Sequence, residues 1–336
     1  MAAAEGETSE FEVAPGVTLS RTLIPTLPPN YLSRKHLFPL FENSSPSTTV
    51  VIAPAGYGKT SLVAEWAFAQ RDRVIWLTIT ESDSLEDMAA LFIQATRNIL
   101  PGFAPWFEGE ASVRPVEVVR RWGNELLATN RDYIFVIDNL REHTSRDVDI
   151  ASRLVEQFPK NIQFVTIRRD SLETVYATFA SRGALSVVTA NDLQFSDNEI
   201  ATLAAMHKLD YDDCEIRQSL EGAHGWPAAV SMLVYQVSKN KKPVDFEKLV
   251  SSQSEPLRAL ASSVINSLDD QTRSLITSLA VVQEFTHEMA EIILGDEYSY
   301  DAINQIALDG NYFSQTGSPE QSFEFSTLVR EVLLTE

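Results

Sequence analysis

The stretch from Val50 to Ala67, VVIAPAGYGKTSLVAEWA, constrains the fold more than any other part of the chain. An apolar β-branched run, a turn holding Gly56 and Gly58, and Leu62, Val63, Trp66 and Ala67 at helical spacing read as a buried strand, a glycine loop and a helix. A loop feeding a helix N-terminus points backbone N–H groups and the positive end of the helix dipole at an anion. Lys59 adds a mobile charge for β- and γ-phosphates, and the Thr60 hydroxyl can hold Mg²⁺. The stretch therefore reads as a phosphate-binding loop, with Pro54, Ala55, Gly56, Tyr57, Gly58, Lys59, Thr60 and Ser61 as candidate nucleotide contacts. One position departs from the pattern G-x-x-x-x-G-K-[ST]: Ala53 stands for the first glycine, and it would be strained if that position needed a positive φ. The plainer reading, a chance Gly-Lys-Thr at a helix start, is disfavoured by the strand and helix patterns on either side.

A second landmark follows at Tyr133 to Asn139, YIFVIDN, an apolar run delivering Asp138 to a strand's C-terminal end. Ligands of open α/β sheets sit at that edge. There Asp138 would hold Mg²⁺ through water as the partner of Thr60. The strand expected at Ile162 to Ile167 ends in Arg168 and Arg169, which at the same edge would sense a γ-phosphate or neutralise charge in its transfer; a pair of surface cations is the alternative. With Arg73–Ile79 and Leu185–Val188 there are five strands, separated by helices at Met88–Leu100, Val116–Thr129 and Val148–Phe158. That alternation predicts an α/β fold with a doubly wound parallel sheet.

At 336 residues, length suggests two or three domains. A net charge of −20 argues against a general polyanion binder, since phosphate contacts need clustered Lys and Arg. Cys214 is the single cysteine, so no intramolecular disulfide forms and a reducing cytoplasm is the expected compartment. Residues 1–20 read as a disordered lead-in without a basic or apolar signal-peptide region, and no apolar run is long enough for a membrane span. Ser33 is placed to cap a short helix after Tyr31 and Leu32.

From Leu193 the pattern turns helical, with helices expected at Glu199–His207, Cys214–Glu221 and from Gly225, where Pro227 suits a first turn. Lys239, Lys241, Lys242 and Pro243 read as a linker. Helices at Leu257–Asn266, Asp270–Val282, Glu288–Leu294 and Tyr300–Leu308 follow. A hairpin around the turn Thr316–Pro319, with Phe323-Glu324-Phe325 as its second strand, and a helix at Leu328–Leu334 complete the order of a winged helix. Between Arg273 and Arg330 there is no Lys or Arg, so direct DNA binding by this chain is not expected.

These residues carry a family resemblance. Leu27-Pro28, Leu32-Ser33-Arg34, the loop Ala53 to Thr60, Val136-Ile137-Asp138, Leu193-Gln194-Phe195-Ser196 and Gly225-Trp226-Pro227-Ala228 resemble the nucleotide-binding half of the maltose-regulon activator (MalT) type of STAND ATPases. These are large regulators, often ending in a LuxR-type DNA-binding domain. The likeness runs from about Arg21 to Glu331, and Ala in place of the first loop glycine is itself typical of the family. It implies a P-loop nucleotide-binding domain (21–190), an all-α lid (191–245) and a winged-helix domain (246–336) closing over ADP or ATP. It also implies Trp226 and Pro227 against the adenine, Leu32 and Arg34 bordering it, and Arg169 as phosphate sensor. Two positions depart from the family: Asn139 replaces a second acid and cannot act as a general base, and Ser326 lies where a His would meet the β-phosphate.

The expected function is an ATP/ADP-binding signalling switch, part of a transcriptional regulator, with Asp138 and Arg169 at the reacting end and slow or no hydrolysis. ATP would free it for a protein partner or self-association. An active ATPase or kinase is the alternative, with Glu81, Asp83 or Glu142 as base, and a nucleotide-free interaction module is the second. With no repeat sensor or C-terminal helix-turn-helix before Glu336, the chain is expected to be a fragment of a longer regulator or a truncated relative.

Overall fold

The computed structural model describes residues 17–42, 48–80, 82–107, 114–139, 161–169, 185–240, 259, 262, 265, 268–309, 312–315, 322–325 and 327–334. Five strands, β1 (Thr48–Ile52), β2 (Val74–Thr78), β3 (Tyr133–Asp138), β4 (Ile162–Arg168) and β5 (Leu185–Val188), form one sheet in the order β2-β3-β4-β1-β5. All of its pairings are parallel, as the alternation predicts. β3 and β4 are buried at every residue, which is why β3 reads as an apolar run up to Asp138 rather than as alternation, while β4 buries Gln163, Thr166 and Arg168 among its apolar residues. The two-residue period nevertheless sorts their side chains. Val51, Val136 and Val165 join one core with α1 (Lys59–Phe68), whereas Ile75, Phe135 and Phe164 join a second with α2 (Leu85–Arg97) and α3 (Pro115–Ala128).

Register sets the functional edge. Asp138 lies opposite Thr78 on one side and Ile167 on the other, and Ile52 lies opposite Arg168, so the strands end together.

Local chemistry moved several boundaries. The capping box that the pattern Ser84-Leu85-Glu86-Asp87 predicts is present and starts α2 at Leu85, ahead of the apolar periodicity from Met88, and Pro115 opens α3 at its first position. Ser33 is not a cap. Its hydroxyl donates to Glu65 of α1, and the 3₁₀ helix Lys35–Phe41 begins at Arg34 without a side-chain cap. Of the lead-in expected to be disordered, Val17 packs on the second core and Leu19–Thr22 forms a 3₁₀ turn.

The chain continues with α4 (Ala190–Leu193), α5 (Asp197–Met206), α6 (Cys214–Glu221) and α7 (Pro227–Asn240). Next come α8 (Asp270–Leu279), β6 (Glu284–Phe285), α9 (His287–Leu294), α10 (Tyr300–Asp309), β7 (Phe313–Gln315), β8 (Phe323–Phe325) and α11 (Thr327–Leu333). β7 and β8 pair antiparallel, as expected of a hairpin, and β6 adds a third strand in the order β6-β8-β7. Two residues are too few to show alternation, so β6 left no signal in the sequence. Phe285, Phe313, Phe323 and Phe325 close this small sheet with ring centroids 5.0–5.7 Å apart. The helix expected at Val148–Phe158, most of that at Leu257–Asn266, the turn Thr316–Pro319, Lys241–Pro243, Glu81, Glu142 and Ser326 lie outside the described residues. Among the described residues no helix is long and apolar enough to cross a membrane.

Candidate functional site

β1 hands the chain to Ala53, which is buried and is not among the residues with positive φ, so alanine sits there without the strain considered above. The bending falls on Gly56 (φ 82°) and Gly58 (φ 72°). Gly58 caps α1 with no side chain, leaving the first-turn amides of a ten-residue helix for an anion. Three successive loop carbonyls are already engaged. Pro54 O accepts from Lys59 Nζ at 2.7 Å, Ala55 O from Trp226 Nε1 at 3.2 Å, and Gly56 O from the Ala228 amide at 3.0 Å.

A cavity of about 860 Å³ opens at this sheet edge. Ala55, Gly56, Gly58, Lys59, Thr60 and Ser61 form one side, Asp138 and Asn139 of the β3 end the floor, and Ile167, Arg168 and Arg169 its continuation along β4. Six of the eight expected loop residues, Asp138 and Arg169 therefore converge. Thr60 Oγ1 donates toward the Asp138 carboxylate, 3.1 and 3.2 Å from its two oxygens. Burial pushes the Asp138 carboxyl above its ordinary range, against the opposing pull of Thr60 and Lys59. Burial, aided by the Arg169 charge, pulls Lys59 down to about 8. A hydroxyl beside a buried carboxylate is a hard-oxygen pair that fits Mg²⁺, with phosphate oxygens and water completing the shell. The fit requires that sharing: among the described residues no group of three His, Cys, Asp or Glu side chains is placed to hold a metal alone.

Other expected contacts lie elsewhere. Tyr57 is buried beside the loop, stacked on Trp226 with ring centroids 6.2 Å apart, and burial raises its phenol to about 12. Trp226 and Pro227 stand at the start of α7, joined to the back of the loop, and neither they nor Pro54 and Tyr57 line the cavity. Leu32 is in the core. Arg34 is buried in an ion pair with Glu199 at 2.6 Å and donates to the carbonyls of Leu193 and Gln194 at 2.8 and 3.0 Å. Asn139 adopts a left-handed conformation (φ 63°) and donates from Nδ2 to the Ile79 carbonyl at 3.0 Å. Sequence reasoning missed the wall opposite the loop, formed by Thr78, Ile79, Thr80 and Ser82 at the end of β2. The rule that parallel strands present their C-terminal ends to one ligand would have reached it.

No family model matches the chain. The HTH-type transcriptional regulator MalT of Cronobacter sakazakii is 22% identical over 297 residues, covering 83% of this chain and 32% of that relative. The chain thus spans about a third of the length of the curated relative it matches. Among solved structures, a Walker-type ATPase of Pyrococcus abyssi superposes with a TM-score of 0.59 at 14% identity, covering 90% of this chain and 96% of the other. A STAND protein with a tetratricopeptide-repeat sensor from Pyrococcus horikoshii gives a TM-score of 0.47 at 16% identity, covering 95% and 44%. The chain shares the fold of a Walker-type ATPase, and over most of its length it is similar in sequence to about a third of a MalT transcriptional regulator.

Proposed function

We propose that this chain is the nucleotide-binding regulatory part of a STAND-type switch in a cytoplasmic transcriptional regulator, responding to ATP and ADP. The carrying observation is the convergence of Lys59, the Thr60–Asp138 pair and Arg169 on one cavity beside an uncapped helix N-terminus. Loop amides and Lys59 would bind the phosphates, Thr60 and Asp138 would hold Mg²⁺, and Arg169 would face the terminal phosphate. When bound, magnesium would supply neutralisation of phosphate charge.

Hydrolysis is slow or absent in this reading, because Asn139 is neutral and its amide is committed to the Ile79 carbonyl. Helices α4–α7 would form the lid. Its first element of control is the start of α7, whose Trp226 and Ala228 hold the loop carbonyls, so a change in the loop is felt directly by that helix. Elements α8–α11 with the three-stranded sheet would form a winged helix serving protein contact. Nine acidic residues and no Lys or Arg between Ser274 and Val329 leave α9, α10 and the three-stranded sheet without phosphate anchors for DNA. Exchange of ADP for ATP would then expose surfaces for self-association or a partner, to the extent that the two shapes differ in affinity for the two nucleotides.

The test is the nucleotide released on denaturing freshly purified protein, with calorimetry on the stripped chain and on Lys59→Ala. Wild type is expected to bind ADP and ATP with Mg²⁺, and Lys59→Ala to bind about 100-fold more weakly. Equal binding by the variant sinks the proposal.

A further inference from the structure

The strand order gives the cavity a direction. The phosphate loop follows β1, Arg168 and Arg169 end β4, Asp138 ends β3, and β2 lies outermost, so the cavity runs from the loop to a far wall of Thr78, Thr80 and Ser82. A phosphate chain anchored on the loop amides would have this row of strand ends, and that wall, on its open side.

The wall is held by groups outside it. β2 ends at Thr78, and the backbone beyond closes on itself: the Asp83 amide donates to Thr80 O at 3.2 Å and the Thr80 amide to Asp83 Oδ2 at 2.6 Å. The hydroxyls of Thr80 and Ser82 lie 3.2 Å apart. Arg21 grips both ends of this closure. Its Nε donates to Thr78 O at 3.0 Å, its Nη1 to Asp83 Oδ1 at 3.1 Å, and its second terminal nitrogen to Asp83 Oδ2. The segment carrying Arg21 is itself fixed, since Nδ2 of Asn98, the residue after α2, donates to Thr22 O and Oγ1 at 2.8 and 2.9 Å. Burial alone would raise the Asp83 carboxyl, but the Arg21 hydrogen bond and the Thr80 amide hold it below its ordinary value, keeping the clamp charged. Only a planar guanidinium fork spans a carbonyl and both carboxylate oxygens at once.

We infer that Arg21 is a positioning residue for the terminal-phosphate end of the nucleotide site: through Thr78 and Asp83 it fixes the Thr80 and Ser82 hydroxyls, which favour a triphosphate over a diphosphate. The inference rests on the nucleotide reading above. Staples that merely attach the N-terminal segment to the sheet edge would affect stability and leave nucleotide preference alone.

The experiment measures affinities for ADP and for a non-hydrolysable ATP analogue, both with Mg²⁺, by calorimetry on the full chain. Arg21→Ala and Asp83→Asn are each expected to weaken the analogue by about tenfold while ADP stays within about twofold. Their combination is expected to be no worse than either alone, because both remove one clamp. Arg21→Lys should recover part of the loss. Thr80→Val with Ser82→Ala, which leaves the clamp in place, should also lower analogue affinity selectively and keeps the test valid if Arg21→Ala fails to fold. An unchanged analogue-to-ADP ratio in Asp83→Asn and in the hydroxyl variant overturns this inference alone. Failure of the wild type to bind either nucleotide brings down both readings.

Discussion

Replacing Arg34 by Met removes a guanidinium but keeps most of an apolar stem, and the environment of Arg34 sets the expected cost. The side chains of Arg34 and Glu199 expose 5% and 11% of their surface and meet at 2.6 Å. Arg34→Met leaves that carboxylate without its cation and strips donors from the carbonyls of Leu193 and Gln194. Removing one partner of a buried pair costs about 3–5 kcal/mol. Glu199 keeps the Ser196 amide at 2.8 Å and its hydroxyl at 3.0 Å, so the lower end, about 3 kcal/mol, applies. In urea the midpoint should fall by about 1–2 M at pH 7.

The pH dependence carries a sign. Burial opposes ionisation of Glu199, yet Arg34 and the Ser196 amide outweigh it and hold the carboxyl below its ordinary value. A carboxyl depressed in the folded state contributes stability above its unfolded pKa and loses it as pH falls through the folded one. Urea curves for wild type and Arg34→Met, followed by circular dichroism, should therefore draw together below about pH 4.5. A variant midpoint within about 0.3 M of wild type at pH 7, or a gap that widens in acid, refutes the reasoning. A selective loss of nucleotide affinity with unchanged stability would restore Arg34 to the ligand-bordering role expected from sequence.

Three further outcomes are expected. Gly225 has φ 72°, and a Cβ there would stand 2.8 Å from Phe195 O, so Gly225→Ala should destabilise by about 2–4 kcal/mol in urea titration. Trp226→Phe retains a ring to stack on Tyr57 but loses the donor to Ala55 O, for a cost of about 0.5–1.5 kcal/mol by the same assay. Lys59 titrates near 8, so nucleotide affinity should fall between pH 7 and 9 and stay level in Lys59→Arg. With its folded pKa below the unfolded value of 10.5, the same group should make the nucleotide-free protein more stable as pH rises from 8 to 10.5, read by thermal melting.

The parallel sheet, its five strands and the loop with Lys59 and Thr60 were legible in the sequence, because each is written in neighbouring residues. A β-branched run, two glycines free to take positive φ and a helix start specify a phosphate loop within one short segment, and Asp138 follows from an apolar strand that ends in an acid. What the tertiary structure decided is which distant groups meet. Arg34 reaches Glu199 across 165 positions, Trp226 reaches Ala55 across 171, and Arg21 reaches Thr78 across 57. Periodicity and capping rules act over a few residues and say nothing about such pairs. Strand order and helix packing bring them together, and so pair Arg34 with Glu199 in the interior and Arg21 with the end of β2.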